Sequence, residues 1–281
     1  MRTSVDCFPC FMKQTVIALR QCGCDEIIQQ KVFREVLAIM QDVDMNKPPA
    51  YTTTFIHRAI REIIAGDPFK DIKQKYNAIA LSLYPRLRAL VTASPDPLWT
   101  AARLAIAGNI IDFGIFTDID IQKSVDQSLE AEIAADDFIS FKNDLASSDQ
   151  VLYLLDNAGE IVFDRLLIEE LKKAGKQVKA VVKGSAVLND VTREDAVQTG
   201  LDAICEIISN GSDAIGTILP WTSLAFQEEF KKAPLIISKG QGNFETLLRS
   251  RKGTYFLFQS KCDVVSRELG LMPCSMLFRK S

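Results

Sequence analysis

Asp156 and Asn157 stand side by side directly after five apolar residues, Val151 to Leu155. A carboxylate beside an amide oxygen is a donor pair that hard divalent cations select, and such cations usually keep several waters. A short apolar run closed by turn residues reads as a buried parallel strand. In open α/β sheets, ligands bind beyond the carboxyl ends of such strands. Gly159 permits close backbone approach, and the helical pattern that follows presents free N–H groups to an anion. Asp and Asn are also preferred helix N-caps, so capping is the local alternative for both residues.

The same design recurs. Val178–Val182 ends in Lys183-Gly184-Ser185, with Asn189, Asp190 and Thr192 a few residues on. Leu235–Ser238 runs into Lys239-Gly240-Gln241-Gly242-Asn243, and Tyr255–Phe258 leads to Lys261-Cys262. Four strand ends carrying acids, amides, lysines and glycines point to one shared site. The Lys239–Asn243 loop could cradle a phosphate on backbone N–H groups, or could be a plain strand-to-helix turn. It lacks the order of a P-loop. Glu245 could meet a sugar hydroxyl or only support a helix start. Lys261 suits a single phosphoryl oxygen, with Lys183 as a second candidate; a solvated lysine at a strand end is the structural alternative. Gly108-Asn109, with Asp112 nearby, either ends a helix or marks close approach to a ligand.

These segments carry a resemblance. DNAGE (Asp156–Glu160), NDVTREDA (Asn189–Ala196) and SKGQGNFETL (Ser238–Leu247) resemble the domain-of-unknown-function 89 family, the metal-dependent damage-control phosphatases. AIAGNIIDFG (Ala105–Gly114) and the opening CFPC (Cys7–Cys10) extend the match over nearly the whole chain, and the Cys-x-x-Cys start is similar to the shorter prokaryotic branch. The resemblance implies a divalent metal ion, Mg²⁺, Mn²⁺, Co²⁺ or Ni²⁺, held by Asp156, Asn157 and Asp190, which are also the expected catalytic residues. It implies phosphate contacts from Asn109 and Lys261. Asp112, Glu160, Lys183, Lys239 and Asn243 complete the expected phosphate- and substrate-binding set. The implied reaction is hydrolysis of phosphomonoesters of sugar phosphates or damaged phosphometabolites. The attacking group is left open between a water and Asp156.

The elements that must position these residues fall into two regions. Residues 1–147 read as helical: Phe8–Gln21, Glu26–Met40, a helix capped at Thr53 or Thr54 and reaching Ile64, Phe69–Val91 interrupted or bent at Pro85, a helix from Asp96-Pro97 toward Asn109, then Ile121–Glu132 and Asp136–Leu145. From Val151 the period changes to short apolar runs alternating with helical patterns, the signature of βαβ units. Expected strands are Val151–Leu155, Gln177–Val182, Ala203–Ile207, Leu235–Ser238 and Thr254–Phe258. The fold class is therefore α/β: a doubly wound, mostly parallel sheet in the C-terminal half with an α-helical N-terminal half packed on it. The join falls at Ser147-Ser148-Asp149, giving domains 1–147 and 148–281, with Asn109 reaching across into the sheet's crevice.

With 281 residues and 47% hydrophobic content, the chain can bury a sizeable core. A net charge of −3 argues against a nucleic-acid partner. No signal-peptide pattern and no uncharged apolar window of about 18 residues appear, so a cytoplasmic protein without a membrane partner is expected. The seven cysteines read as reduced, intracellular thiols. Cys7-x-x-Cys10 and Cys22-x-Cys24 cannot share one zinc ion if the residues between them are helical, because the pairs then lie roughly 20 Å apart. His57, the single histidine, lies far in sequence from the strand ends and reads as structural. Two rival functions remain. An S-adenosylmethionine-dependent methyltransferase would want a glycine-rich loop where Asn157-Ala158-Gly159 stands. A non-enzymatic metal- or small-molecule-binding module would use CFPC. The partner expected throughout is a small-molecule phosphate ester; the oligomeric state is not readable from the sequence.

Overall fold

The computed structural model describes residues 1–110, 121–251 and 253–281; Asp112, expected in the site, lies outside them. Six helices come first: α1 (Cys7–Cys22), α2 (Glu26–Gln41), α3 (Pro49–Ile64), α4 (Lys70–Ala93), α5 (Pro97–Ile110) and α6 (Ile121–Glu130). Then follow β1 (Ile133–Asp136), α7 (Phe138–Ala146), β2 (Gln150–Leu154), α8 (Glu160–Lys173), β3 (Gln177–Val182), α9 (Arg193–Gln198) and β4 (Glu206–Ser209). The chain ends with α10 (Leu224–Lys232), β5 (Leu235–Lys239), α11 (Gln241–Leu247), β6 (Thr254–Gln259), α12 (Asp263–Leu269) and β7 (Met276–Lys280). The strands form one seven-stranded sheet in the order β1-β7-β6-β5-β2-β3-β4. All pairings are parallel except β6 with β7. The α/β class expected from the period change is the one observed.

Strand β2 is the pivot of the sheet. It pairs with β3 on one side and β5 on the other, so the winding reverses there, and a reversal of this kind opens a crevice at the strand's carboxyl end. Alternation along β2 separates two cores. Val151, Tyr153 and Leu155 face the cluster built with α4, α5 and α8, whereas Leu152 and Leu154 face Phe226, Phe244 and Phe256. Both faces are covered, which is why the run is continuously apolar. A third cluster joins α1, α2 and α3 through Phe11, Val32, Val36, Ile56 and Ile60.

Several expectations are corrected. Helix α3 starts at Pro49, where proline's fixed φ suits the first turn, so Thr53 and Thr54 are not its caps. Their hydroxyls donate instead to the carbonyls of Pro49 and Ala50 at 3.0 and 2.7 Å. Strand β4 lies three residues later than expected at its start, because Ile204 and Cys205 pack against the core from the turn before it. Strands β1 and β7 were not expected. The four residues of β1 are too few to show a period, and β1 places a strand before the expected join at 147–149. Cys22 and Cys24 form a disulfide, against the expectation of uniformly reduced thiols. Among the described residues no helix is long and apolar enough to cross a membrane.

Candidate active site

Beyond β2 the chain runs beside the loop that follows β3. Leu155 N donates to Val181 O at 3.1 Å, Val191 N to Asp156 O at 2.8 Å and Ala158 N to Asn189 O at 2.8 Å. Asn157 and Asp190 thereby form an antiparallel bridge. Two residues 33 positions apart in sequence are set next to one another by backbone bonds alone. Helix α8 is capped at Gly159, with φ 79°, and receives no side-chain cap. Capping therefore does not occupy Asp156 or Asn157; Gly159 N donates to Asn77 Oδ1 of α4 at 2.7 Å instead.

The polar side chains form one connected cluster. Asn109, near the end of α5, donates to Asp156 Oδ2 at 3.2 Å and to Glu160 Oε2 at 2.9 Å, and its Oδ1 accepts from Gln259 N at 3.2 Å. Asn157 Nδ2 donates to the same two carboxylates at 2.7 and 3.1 Å, so Oδ1 is the side-chain atom that could ligate a cation. Burial drives the Asp156 carboxyl well above the ordinary range; Glu160 and Asp190 push it further, and Lys261 and Lys183 oppose them. Asp190 is raised mainly by burial too, against the pull of Lys183. Lys183 Nζ lies 3.2 Å from Asp190 Oδ2, yet that oxygen has no partner in hydrogen-bond geometry.

Glycine sets the approach of two elements. A Cβ on Gly240, whose φ is +81°, would sit 1.9 Å from Asp156 Oδ2. A Cβ on Gly108 would meet Phe163 Cβ at 2.8 Å, so glycine there lets α5 close on α8 and bring Asn109 over the strand end.

The sequence-predicted residues separate into two groups. Asn109, Asp156, Asn157, Asp190 and Lys261 line one cavity of about 370 Å³. Glu160, Lys183, Lys239 and Asn243 are buried and are not among its lining residues. Lys239 is fully buried, and its ammonium donates to Ala105 O at 2.8 Å and to Glu160 Oε1 and Asp164 Oδ1 at 2.6 Å each. Burial works to lower its pKa, but Asp164 and Glu160 prevail and hold it at about 12. Lys183 donates to Ala214 O at 2.8 Å and to Gly216 O. Asn243 donates to Lys239 O at 2.8 Å and Leu155 O at 3.3 Å, tying β5 to β2. These four residues lie beneath the site and hold it in shape.

Other members were not anticipated. Asp164 stands one helical turn after Glu160, receives Tyr153 OH at 2.7 Å, and is pushed by burial up to about 7. The i, i+4 spacing of two acids on the buried face of α8 was its available signal. Lys73 pairs with Asp195 at 2.7 Å, and Asn77 joins Asp195 to the start of α8, so α4 braces the site from behind. His57 is buried and is not among the residues that line the cavity.

Two buried carboxylates crowd one another, one Asp190 oxygen lacks a hydrogen bond, and an amide oxygen adjoins them. Among the described residues no three Asp, Glu, His or Cys form a metal cage. Two carboxylates and an amide fit a hard cation that takes its remaining oxygens from water and substrate.

The family model described as Damage-control phosphatase ARMT1-like domain matches residues 3–274. An uncharacterized protein of Methanocaldococcus jannaschii is 38% identical over 277 residues, which is 95% of this chain and 91% of that protein. A protein named damage-control phosphatase from Archaeoglobus fulgidus is 32% identical over 279 residues, 96% of each chain. The crystal structure of a DUF89 family protein from Pyrococcus horikoshii superposes with a TM-score of 0.92 at 28% identity, covering 100% of this chain and 99% of that one.

Proposed function

The chain belongs to the damage-control phosphatase ARMT1-like domain family, and from that premise we propose that it is a divalent-metal-dependent phosphomonoesterase acting on small phosphate esters. Sugar phosphates and damaged phosphometabolites are the substrate classes proposed. The observation that carries the reading is the bridge between Asn157 and Asp190, which sets two mutually repelling buried carboxylates and an amide at the floor of one cavity with Lys261. Lys183 compensates Asp190 in part, yet burial holds both carboxyls above their ordinary range, a setting that a bound divalent cation would relieve.

Asp156, Asn157 and Asp190 would hold the cation. When bound, it supplies charge neutralisation and Lewis acidity at the phosphoryl group. The remaining work belongs to the chain itself. The Lys261 ammonium reaches a phosphoryl oxygen and balances charge as the ester bond breaks. Asn109 orients the Asp156 carboxylate through one amide hydrogen and holds Glu160 through the other, and a contact to the substrate phosphate would exchange one of these bonds. Glu160, fixed by Lys239, keeps both Asn109 and Asn157 in register. The side chains that meet substrate are thus held by buried partners, so little reorganisation accompanies reaction.

Phosphate release from 4-nitrophenyl phosphate tests the reading, measured with Mg²⁺, Mn²⁺, Co²⁺ or Ni²⁺ and with EDTA. Metal-dependent turnover that disappears in Asp156→Ala is the expected result. Full activity in EDTA, or in that variant, counts against it. Tight S-adenosylmethionine binding without turnover would instead favour a methyltransferase.

A further inference from the structure

The turn that leads into Asp190 is built on a backbone angle that its residue disfavours. Asp190 N donates to Val187 O at 3.0 Å, closing a turn with Leu188 and Asn189 at its centre. Leu188 has φ +47°, in the left-handed region. Positive φ at the first central position belongs to the mirror-type turns, which Gly, Asn and Asp dominate. A bulky L-residue there crowds its Cβ against its own backbone. Among the described non-glycine residues only Ala65 and Cys274 also take positive φ. Ala65 is the C-cap of α3, an ordinary place for that conformation. Neither of those two is among the cavity-lining residues, whereas Leu188 is.

Packing is what opposes relaxation of this angle. Leu188 packs against the cluster that Cys7 and Phe11 of α1 form with Ile56 of α3. Cys7, Cys10 and Phe11 line the same cavity, so α1 stands as a wall beside the turn. Val187 and Val191 are both buried, which grips the turn on either side. A disfavoured backbone angle persists only where its surroundings over-determine it. The same few residues also carry the backbone of the site. Asn189 O accepts from Ala158 N, and Val191 N donates to Asp156 O, each at 2.8 Å. A return of Leu188 to negative φ would redirect the peptide units that follow it. The Asn189 carbonyl would leave Ala158, and Asp190 would leave its bridge with Asn157.

We infer that Leu188 is the positioning residue for Asp190: the helices α1 and α3 hold its side chain, and the held side chain keeps the turn in the left-handed conformation that sets Asp190 beside Asn157. This rests on the metal reading above and deepens it, because it assigns what keeps the donor set assembled before any cation binds.

Three substitutions in the full chain separate this role from simple packing. Leu188→Ala removes the apolar contacts and keeps the penalty of positive φ. Leu188→Gly and Leu188→Asn remove nearly the same contacts, but both residues enter the left-handed region readily. Mn²⁺ affinity is measured by calorimetry, and amide exchange at Ala158 is measured by NMR on metal-free protein in EDTA. Leu188→Ala is expected to raise the Mn²⁺ Kd by about tenfold, the equivalent of the released backbone penalty. It is expected to speed exchange at Ala158 by a similar factor, about tenfold, through local opening of the bridge. Leu188→Gly and Leu188→Asn are expected to stay within about threefold of wild type in both measurements. A Leu188 that only fills space predicts instead a similar fall in melting temperature for all three variants, with Kd and exchange moving together or not at all. Wild-type Kd and exchange in Leu188→Ala, or an equal loss in all three variants, overturns the inference and leaves the metal reading standing. Wild type that binds no Mn²⁺ sinks the metal reading, and exchange at Ala158 then decides the role of Leu188.

Discussion

Burial raises the Asp156 carboxyl, and the neighbouring Glu160 and Asp190 add to its cost of ionising. The proximity of Asp156 and Asp190 is enforced by the bonds from Val191 N and Ala158 N. Replacing the Asp156 carboxylate with the neutral amide relieves that crowding. Asp156→Asn is therefore expected to keep or raise the melting temperature, whereas Asp190→Asn, which leaves the buried Lys183 ammonium without its carboxylate, is expected to lower it; both are expected to lower kcat by at least about a hundredfold, with weaker Mn²⁺ binding by calorimetry. A lowered melting temperature or undiminished kcat in Asp156→Asn would contradict this assignment. At His57 the outcome concerns pH. Burial, reinforced by Arg61, lowers its pKa from 6.5 to about 3. The unfolded chain then binds the proton first, so stability from this residue is present above pH 6.5 and lost as pH falls below it. Relative to His57→Leu, wild type should lose about 2 kcal/mol between pH 6.5 and 4.5, read from urea melts at each pH. A pH-independent difference between the two would refute the buried neutral histidine.

At the scale of elements, the site depends on how closely α5, α8 and the turn after β5 approach the end of β2. Gly240→Ala would place a methyl against the Asp156 carboxylate at a backbone angle that L-residues avoid. A loss of about 1–3 kcal/mol in stability and of most activity is expected. A fully active Gly240→Ala would mean that Asp156 need not sit there. The fully buried ammonium of Lys239 ties β5 to Glu160 and Asp164 of α8 and to Ala105 of α5. Lys239→Met leaves two buried acids without their partner and should cost about 3–5 kcal/mol, measured by denaturant unfolding. These elements were only partly legible in the sequence. The ends of β2, β3, β5 and β6 carried visible polar signals after continuous apolar runs. Whether a lysine at such an end points into the crevice or into the core was not visible, because Lys239 and Lys261 look alike in one dimension. Partners 75 and 79 positions away decide the matter for Lys239.

Across the whole molecule, the helical N-terminal half supplies one wall of the cavity and the sheet supplies the floor. Parallel βαβ order was readable from the change of period at Val151, whereas β1 and β7 were not, being short or at the chain's end. The cluster of Asp156, Asn157 and Asp190 was expected from family resemblance, and the structure brings those three together with Asn109 and Lys261 at one cavity. The wall from α1 could not be foreseen, because nothing in CFPC says which surface it faces. The most direct test of the account is phosphate release by metal-stripped protein before and after divalent cation is restored, with Asp190→Ala run alongside. Stripped wild type should be inactive and recover with Mn²⁺ or Mg²⁺, and Asp190→Ala should stay inactive at the same cation concentration. Undiminished turnover by the stripped protein, or full recovery of the variant, would contradict the central claim.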